Sequence, residues 1–289
     1  MTMANPLVSI IFPCYNAHRY LAETIASARA QTYMPIELIL VDDGSTNPDT
    51  IAFLAALPPD IRQVRQDNRG LPAARNAGIA LARGTYVLPL DCDDLIEPEF
   101  VTAGVAGLEK NPDLAFAFAD IACFGEASGV LYKQYNFFEQ LFTNQLPYCL
   151  LLRRTIWEAV GGYDESMRRG YEDWEFNIRL GARGGYGLAL DRPYFRYRVS
   201  REGMLKSLSS ALHGELWQGI QRKHVPLYRW RSLFRLWREW RQRPSVYPLS
   251  IYFIWICLHR ILPPIWFARL FNRVLALVQT RRSIPQRGA

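Results

Sequence analysis

Paired cysteines are absent from this sequence. The five cysteines among its 289 residues are scattered, odd in number and never spaced as CxxC, and they stand at positions 14, 92, 123, 149 and 257. This usage argues against a disulfide framework and against a zinc site built on cysteine pairs. It fits a protein that folds in a reducing compartment.

We also expect neither a secretory leader nor a membrane-spanning run in this sequence. The first residues, MTMANPLVSIIFP, have no basic stretch before the apolar run and no small-residue cleavage site, so we expect no signal peptide. The uncharged stretch 244–258 holds 15 residues, includes Pro248 and is followed by His259-Arg260. It falls short of the about 20 apolar residues that a spanning helix needs.

Acidic residues are nearly absent from the last quarter of the chain. Residues 1–221 carry 20 Lys and Arg against 26 Asp and Glu, whereas residues 222–289 carry 14 against the single Glu239. Six of the eight tryptophans also lie beyond Leu216. The formal net charge of +7 therefore hides two regions of opposite sign. We predict a first domain over 1–221 and a basic tail over 222–289, with different partners.

Apolar runs alternate with helical patterns through the first 125 residues. The runs VSIIF (8–12) and IELILV (36–41) are short, continuous and rich in β-branched residues, which is typical of buried strands in a parallel sheet. Further strands are expected at 85–90 and 114–121, with helices between the strands. This alternation predicts an α/β fold with a doubly wound, mostly parallel sheet. No GxGxxG follows the first strand, which disfavours a dinucleotide-binding fold.

Polar clusters follow three of the predicted strands. PCYN (13–16) follows the first strand, DDGS (42–45) the second and DCDD (91–94) a later one. Ligands of open α/β sheets bind outside the carboxyl ends of the strands, so these clusters are expected to meet at one site. Each cluster also has a plain structural interpretation, since Asp, Gly and Ser form tight turns and helix caps and an aromatic after a strand is often core.

The DCDD cluster places Asp91 and Asp93 two positions apart. Carboxylates so placed can turn toward one hard cation, and Mg²⁺ or Mn²⁺ prefers oxygen ligands and bridges substrate phosphates. Carboxylates this close raise one another's pKa unless a positive group lies among them. Arg75, in RGLPAARNAG (69–78), is a candidate either to meet phosphate or to balance the aspartates. The alternative is a solvated loop in which Asp94 caps the next helix.

A second acidic pair, Glu172-Asp173, begins a helical pattern within GGYDESMRRGYEDWEFNIRL (161–180). Carboxylates in the first turn of a helix are favoured by the helix dipole, so capping alone can explain the pair. In the catalytic interpretation, one of them takes a proton from an incoming hydroxyl.

These motifs together resemble those of the family 2 glycosyltransferases, which have the GT-A fold. The matching pieces, in order, are FPCYN, VDDGS, RG…AARNAG…ARGTYVLPLDCDD, GGYDE and GYEDWEFNIRL. The resemblance covers roughly residues 6–200. It implies an inverting enzyme that binds a nucleotide-sugar, commonly a UDP-sugar, at the carboxyl ends of the sheet, with Mg²⁺ or Mn²⁺ as cofactor.

The resemblance also implies roles for single residues. Asp173 would be the catalytic base, with Glu172 beside it and Trp174 near the acceptor. Asp93 would be the direct metal ligand on the diphosphate, and Asp91 would serve both the ribose and the metal. The residues expected at the donor are Pro13, Tyr15, Asn16, Asp42, Asp43, Arg75, Asp91 and Cys92. Among these, Asp43 would read the base.

Two positions depart from the family pattern. Ser200 stands where many relatives have the histidine of a YRxH motif, so a third protein ligand for the metal is left unassigned. The QxxRW motif of processive members is also missing, because Pro226 occupies the Gln position before Arg229-Trp230. We therefore expect a non-processive enzyme.

The tail is amphipathic from Leu227 to Trp240, with tryptophans and leucines on one helical face and arginines on the other, and a second such run covers 265–278. Such a helix can lie in a membrane interface, with its arginines at lipid phosphates and its tryptophans at the depth of the headgroups. We predict a helical, membrane-associating tail that attaches the protein peripherally, through 227–278, to the cytoplasmic face of the cell membrane. The alternative is a helical subdomain whose tryptophans pack on the first domain or on a partner. Nucleic-acid binding is disfavoured because no recognised motif supports it.

The sequence thus predicts a metal-dependent, inverting glycosyltransferase that acts on a lipid-linked or cell-surface glycan precursor. Two other functions stay open. One is a catalytically silent nucleotide-sugar-binding or scaffold protein, and the other is a soluble glycosyltransferase that acts on protein.

Overall fold

The computed structural model describes residues 5–200, 212–245 and 249–263, together with residues 266, 267, 269, 270 and 273. The strands in these residues are β1 (Val8–Cys14), β2 (Ile36–Asp42), β3 (Ile61–Arg65), β4 (Tyr86–Pro89), β5 (Leu95–Ile96), β6 (Leu114–Phe118), β7 (Ile121–Gly125), β8 (Gly129–Leu131), β9 (Leu151–Arg153), β10 (Tyr186–Ala189) and β11 (Phe195–Val199). The helices are α1 (His18–Arg29), α2 (Pro48–Ala55), α3 (Leu71–Leu81), α4 (Phe100–Lys110), α5 (Phe137–Gln140), α6 (Arg154–Val160), α7 (Glu172–Ala182), α8 (His213–Lys223), α9 (Trp230–Trp240) and α10 (Leu249–Ile261).

A seven-stranded sheet forms the centre of the molecule, in the order β10-β6-β9-β4-β1-β2-β3. β1 pairs in parallel with both β2 and β4, and β2 pairs in parallel with β3. Within this sheet β9 runs antiparallel to its neighbours β4 and β6. The prediction of an α/β fold with a mostly parallel sheet is confirmed. Because β2 and β4 lie on opposite sides of β1, the strand order reverses at β1, and a ligand crevice is expected at the carboxyl end of β1.

The apolar runs form the inner strands. All seven residues of β1 and the last five of β2 are buried. The sequence does not predict β3, because only Ile61 of this strand is buried and Arg62, Gln63 and Arg65 are exposed. An edge strand has one strand neighbour, so it needs no continuous apolar run.

A smaller sheet of four strands, in the order β5-β11-β7-β8, lies beside the loop that follows β4. β11 runs antiparallel to β5 and parallel to β7. Since β5 begins at Leu95, directly after DCDD, this pairing fixes the acidic loop from its far side.

The C-terminal helices pack on the α/β domain. One cluster of buried side chains contains Phe142 and Ile178 of the first domain together with Trp217, Leu233 and other residues of α8, α9 and α10. At the end of α9, the ring of Trp240 contacts three aromatic rings at centroid distances of 5.5, 6.0 and 5.3 Å, those of Tyr135, Phe137 and Tyr186. The predicted boundary at residue 221 lies inside α8. The packing of Trp240 is that of the alternative in which tail tryptophans pack on the first domain.

Other apolar residues of these helices are exposed. They include Trp230, Phe234, Phe253, Ile254 and Ile261, and Trp266 beyond α10 is exposed as well. In the part of the chain that the structure describes, every helix is too short or too polar to cross a membrane. Most of the predicted amphipathic run 265–278 lies outside the described residues.

Candidate active site

Asn16 connects the loop after β1 to the loop after β2. It adopts a positive φ of 52°, which Asn tolerates better than most residues. Its Oδ1 accepts the backbone N–H groups of Thr46 and Asn47, both at 2.9 Å, and its own N–H donates to Ser45 Oγ at 3.0 Å. The neighbouring Tyr15 is 49% exposed, so its ring is available to a ligand beside these loops.

The two aspartates at the end of β2, Asp42 and Asp43, are buried and hold loops in place. Asp42 accepts hydrogen bonds from Arg65 Nη1 at 2.6 Å and from the Ser45 N–H at 2.8 Å. Its carboxylate therefore faces the protein, although the resemblance assigns it to the donor.

Asp43 is anchored in the same way to the loop before α3. Its carboxylate accepts from Gln66 Nε2 at 2.7 Å and from the N–H groups of Arg69 and Gly70 at 2.9 and 2.8 Å. A carboxylate offers about four acceptor positions, so about one is left for a ligand. A contact between Asp43 and a base stays a prediction.

Cys92 lies beneath the acidic loop and is buried. Its Sγ donates to the carbonyl of Pro13 at 3.1 Å, which connects the ends of β4 and β1. Hydrogen bonding with Cys14 and burial raise the pKa of the Cys92 thiol well above its usual value. The side chain is thus a neutral packing group, and only the backbone of this residue can face a donor.

Arg75 joins the two acidic motifs. Its side chain on α3 is 1% exposed, and its Nη2 donates to both carboxylate oxygens of Asp91 at 2.8 and 2.9 Å. Its Nη1 donates to Glu172 Oε1 at 2.8 Å. The guanidinium lies 4.7 Å from the ring centroid of Tyr148 and 5.5 Å from that of Tyr163. Of the two roles considered for Arg75, the structure shows the one that balances carboxylates.

The carboxylates of DCDD have separate environments. Asp93 is exposed at the rim, yet the surrounding protein and the nearby Asp91 raise its pKa to about 6. Asp94 is buried and accepts from Tyr148 Oη at 2.6 Å and from the Arg198 N–H at 2.7 Å. Burial raises the pKa of Asp94 well above its usual value. Asp94 therefore anchors the loop, and it does not cap α4, which begins at Phe100.

Arg198 on β11 fixes the same loop from the other side. Its Nε donates to the carbonyl of Asp93 at 2.8 Å, and its Nη2 pairs with Glu23 at 2.7 Å. The guanidinium lies 3.9 Å from the ring centroid of Tyr20. This arginine comes two residues before Ser200, where the family histidine is missing, so the loop is held by an arginine that the motif comparison did not single out.

The donor set at the rim fits a hard divalent cation. Asp91 keeps 23% of its side chain exposed despite its contact with Arg75, and Asp93 lies two residues away. The described residues contain no group of three His, Cys, Asp or Glu that could hold a metal. Mg²⁺ commonly binds through one or two carboxylates and completes its shell with waters and substrate phosphates, so two aspartates suffice.

The second acidic pair begins α7 after Tyr171, whose φ is 63°. Burial raises the pKa of Glu172 to about 7, against the opposing effect of Arg75. Asp173 is partly exposed, and its Oδ2 accepts from Asn144 Nδ2 at 2.7 Å. Burial raises the pKa of Asp173, while Arg75 and Asn144 oppose the rise. Such a carboxylate is a stronger base than an exposed aspartate.

Trp174 belongs to the core. It is 2% exposed, its Nε1 donates to the carbonyl of Gln140 at 2.6 Å, and its ring stacks on His213 at 6.2 Å. Its buried side chain therefore packs in the core, and a contact between Trp174 and the acceptor stays a prediction.

Four residues of the site were not found by sequence reasoning, namely Asn144, Tyr148, Tyr163 and Arg198. Two of them lie within 100–160, where the sequence carries no recognised motif. These residues reach the site only through the fold. Tyr148 contacts Asp91 and Asp94, which lie 57 and 54 positions earlier, and Arg198 contacts Asp93, which lies 105 positions earlier.

A known protein-family model matches this chain. The family model described as Glycosyl transferase family 2 matches residues 9–168, which is more than half of the chain. The match includes the loops after β1, β2 and β4 and ends before Glu172 and Asp173.

Several curated proteins are similar to this chain. Chondroitin synthase of Escherichia coli is 29% identical over 189 residues, which are 63% of this chain and 27% of that protein. Hyaluronan synthase of Pasteurella multocida is 27% identical over 188 residues, 63% of this chain and 19% of that protein. Glycosyltransferase GlyG of Streptococcus pneumoniae serotype 4 is 31% identical over 175 residues, 59% of this chain and 52% of that protein. The chain thus covers no more than 52% of any of the three.

Solved structures share the fold. S. aureus TarS 1–349 in complex with UDP-GlcNAc superposes with a TM-score of 0.59 at 18% identity, over 69% of this chain and 60% of that chain. GalNAc-T7 with UDP, GalNAc and Mn²⁺ gives a TM-score of 0.52 at 16% identity, over 68% of this chain and 45% of that chain. At this identity the likeness concerns the GT-A fold alone.

Proposed function

Since this chain belongs to glycosyl transferase family 2 and is a glycosyltransferase, we propose that it transfers a sugar from a UDP-sugar to an acceptor hydroxyl with inversion at the anomeric carbon. One observation carries this proposal. Arg75 bonds to Asp91 and to Glu172, so the acidic loop after β4 and the start of α7 meet at one site. A sugar held at Asp91 is then within reach of a base on α7.

The nucleoside would lie against the ends of β1 and β2. Tyr15 is exposed there, and Asn16 and Asp43 fix the loops around it. That TarS was solved with UDP and with UDP-GlcNAc supports a uridine nucleotide as the donor.

Asp173 is the proposed base. Its carboxylate takes the proton of the acceptor hydroxyl, whose oxygen forms a bond to the anomeric carbon from the side opposite the diphosphate. The bond between that carbon and the diphosphate oxygen breaks, and its electron pair leaves with UDP. Glu172 keeps Arg75 between the motifs through their 2.8 Å ion pair.

Asp93 and Asp91 would hold Mg²⁺ or Mn²⁺. Bound there, the cation would neutralise negative charge on the departing diphosphate. Burial and the neighbouring Asp91 raise the pKa of Asp93 to about 6, and a bound cation would favour the ionised carboxylate. GalNAc-T7, solved with UDP and Mn²⁺, is consistent with this cofactor.

The acceptor is proposed to be a lipid-linked or cell-surface glycan precursor. The named relatives include two polysaccharide synthases. We also propose peripheral attachment to the cytoplasmic face of the cell membrane. Arg231, Arg235 and Arg238 are exposed on α9 beside Trp230 and Phe234, and arginine with interfacial aromatics favours an anionic lipid surface.

A donor screen tests the proposed activity. The full chain is mixed with a panel of UDP-sugars with and without Mn²⁺, and UDP release and the melting temperature are measured. We expect at least one UDP-sugar to raise the melting temperature in a Mn²⁺-dependent way.

The Asp93→Ala variant should bind that donor with an affinity at least about tenfold lower than that of wild type, because it loses a metal ligand. Asp113→Ala, an exposed aspartate between α4 and β6, is the matched control. Equal affinity for D93A and wild type would exclude Asp93 as the ligand.

A further inference from the structure

We infer that Asn144 is a positioning residue for the transfer reaction: it holds one carboxylate oxygen of Asp173 so that the other can accept the proton of the acceptor. This inference rests on the proposed function, because it takes Asp173 as the base. The family match over residues 9–168 includes Asn144 but assigns it no role, and no motif in the sequence singles it out.

Asn144 lies in a chain of side-chain amides that ends on Asp173. Its Nδ2 donates to Asp173 Oδ2 at 2.7 Å. Its Oδ1 accepts from Gln140 Nε2 at 3.0 Å and from Asn177 Nδ2 at 3.4 Å. Gln140 and Asn177 are both buried, so the amide of Asn144 is held from behind by groups that water does not compete for.

The direction of these hydrogen bonds is set by the backbone. The N–H of Gln145 donates to Gln140 Oε1 at 2.9 Å, and a backbone N–H can only donate. Gln140 must therefore turn its Nε2 toward Asn144, whose Oδ1 must accept. It follows that the donor end of Asn144 faces Asp173. A reversed amide would set its oxygen against a carboxylate and its N–H against another N–H.

This orientation has two consequences for Asp173. First, Oδ2 is occupied by a donor, which fixes the carboxylate plane and leaves Oδ1 as the oxygen for an incoming hydroxyl. Second, a donor to the charged form favours ionisation, so Asn144 counteracts the burial of Asp173 and keeps the carboxylate ready to accept a proton.

Trp174 takes part in the same arrangement. Its indole N–H donates to the carbonyl of Gln140 at 2.6 Å, which fixes the backbone of the residue that orients Asn144. The tryptophan next to the base thus acts on Asp173 through Gln140 and Asn144.

The charged and titratable groups that surround Asp173 are Arg75, Glu172, Asp91, Lys133, Tyr163 and Tyr171.

The test is the pH profile of kcat with the donor found in the screen. Asn144→Asp keeps the shape of the side chain but replaces the N–H donor with an oxygen. We expect kcat at neutral pH to fall by about tenfold to a hundredfold and the acid limb of the profile to move up by about one pH unit. UDP affinity should stay within twofold of wild type. Asn111→Asp, an exposed amide at the end of α4, is the matched control and should change neither quantity.

A second variant covers the case in which N144D folds poorly. Gln140→Glu keeps the acceptor for the Gln145 N–H but removes the donor to Asn144, so it should shift the acid limb in the same direction. A merely structural role would lower the amount of folded enzyme and leave the acid limb where it is. The inference is overturned if the folded variants keep the wild-type acid limb while Asp173→Asn is inactive. If Asp173→Asn remains active, the proposed function itself fails.

Discussion

At the scale of single residues, Arg75 is the group that both acidic motifs share. Its guanidinium makes three hydrogen bonds to two carboxylates in a fork that only arginine provides, and it is 1% exposed. Removing it would leave Asp91 and the buried Glu172 without a counter-charge. Burial already raises the pKa of Glu172 to about 7 with Arg75 present, so this carboxyl would protonate further without it.

The variant Arg75→Lys tests that role. Lysine keeps the charge but cannot bond to both carboxylates in the same planar geometry, so the two motifs should separate. We expect kcat to fall about a hundredfold and the free energy of unfolding to drop by about 1–3 kcal/mol, the cost of leaving buried partners unsatisfied. Steady-state kinetics measures kcat, and urea unfolding measures the free energy of unfolding. Arg83→Lys, at an exposed arginine paired with Glu37, is the control and should change neither quantity. An R75K enzyme with wild-type kcat would contradict the account.

The polar residues that follow strands were predictable, because apolar runs in the sequence show where the buried strands end. The hydrogen bonds of Arg75 connect Asp91, which follows β4, to Glu172 at the start of α7, and the roles of these residues in the reaction stay predictions. The roles of Asp42 and Cys92 could not be foreseen, because their side chains are taken up by the protein. Asn144 was also out of reach, since it lies 29 positions from Asp173 in a segment without a motif.

At the scale of elements, the buried strands were predictable and the edges were not. β1 and β2 are continuous apolar runs, whereas β3 is polar and β9 has three residues and runs antiparallel. The same limit applies to the tail. An apolar helix face is visible in the sequence of α9, but whether it meets lipid or the α/β domain is not. The structure packs Leu233, Leu236 and Trp240 inward.

The packing of α10 should respond to pH through His259. This ring lies among the rings of Phe142, Trp217, Tyr228 and Phe267, and burial lowers its pKa to about 4. The ordinary pKa of histidine is about 6.5, so between pH 6.5 and 4 the unfolded chain binds a proton that the folded chain does not. Stability is therefore full above pH 6.5 and is lost as the pH falls toward 4, by at most about 3 kcal/mol.

The variant His259→Phe removes this titration and should flatten the fall in unfolding free energy between pH 7 and 4.5. Urea unfolding followed by tryptophan fluorescence measures it, with His18→Phe on α1 as the control. An identical pH dependence in H259F and wild type would show that His259 does not couple the packing of α10 to pH.

At the scale of the whole molecule, the excess of basic residues in the last quarter of the sequence places exposed arginines on one side of α9. α8 and α9 belong to the same buried cluster as the first domain, so a chain cut at residue 221 would expose that cluster. Membrane attachment therefore has to be tested on the full chain. The basic side of α9 is the part to alter, because its arginines are exposed while Leu233 and Leu236 pack inward.

The triple variant Arg231→Gln, Arg235→Gln, Arg238→Gln should bind anionic vesicles more weakly. Each arginine near anionic lipid contributes about 1 kcal/mol, so the loss of three predicts a reduction of roughly a hundredfold in vesicle affinity. Sedimentation with vesicles of phosphatidylglycerol and of phosphatidylcholine measures it. The control is the same change at the exposed Arg19, Arg62 and Arg83. Equal sedimentation of both triple variants would place the membrane contact elsewhere or exclude it.

The most direct measurement for the whole account is the Asp173→Asn enzyme assayed for both transfer and UDP binding. Asparagine keeps an oxygen that can accept from Asn144 but cannot take a proton from a hydroxyl. Transfer should fall by at least about a thousandfold, within the range that a general base supplies, while UDP affinity stays within twofold of wild type. Transfer near the wild-type rate, or loss of UDP binding together with activity, would contradict the account.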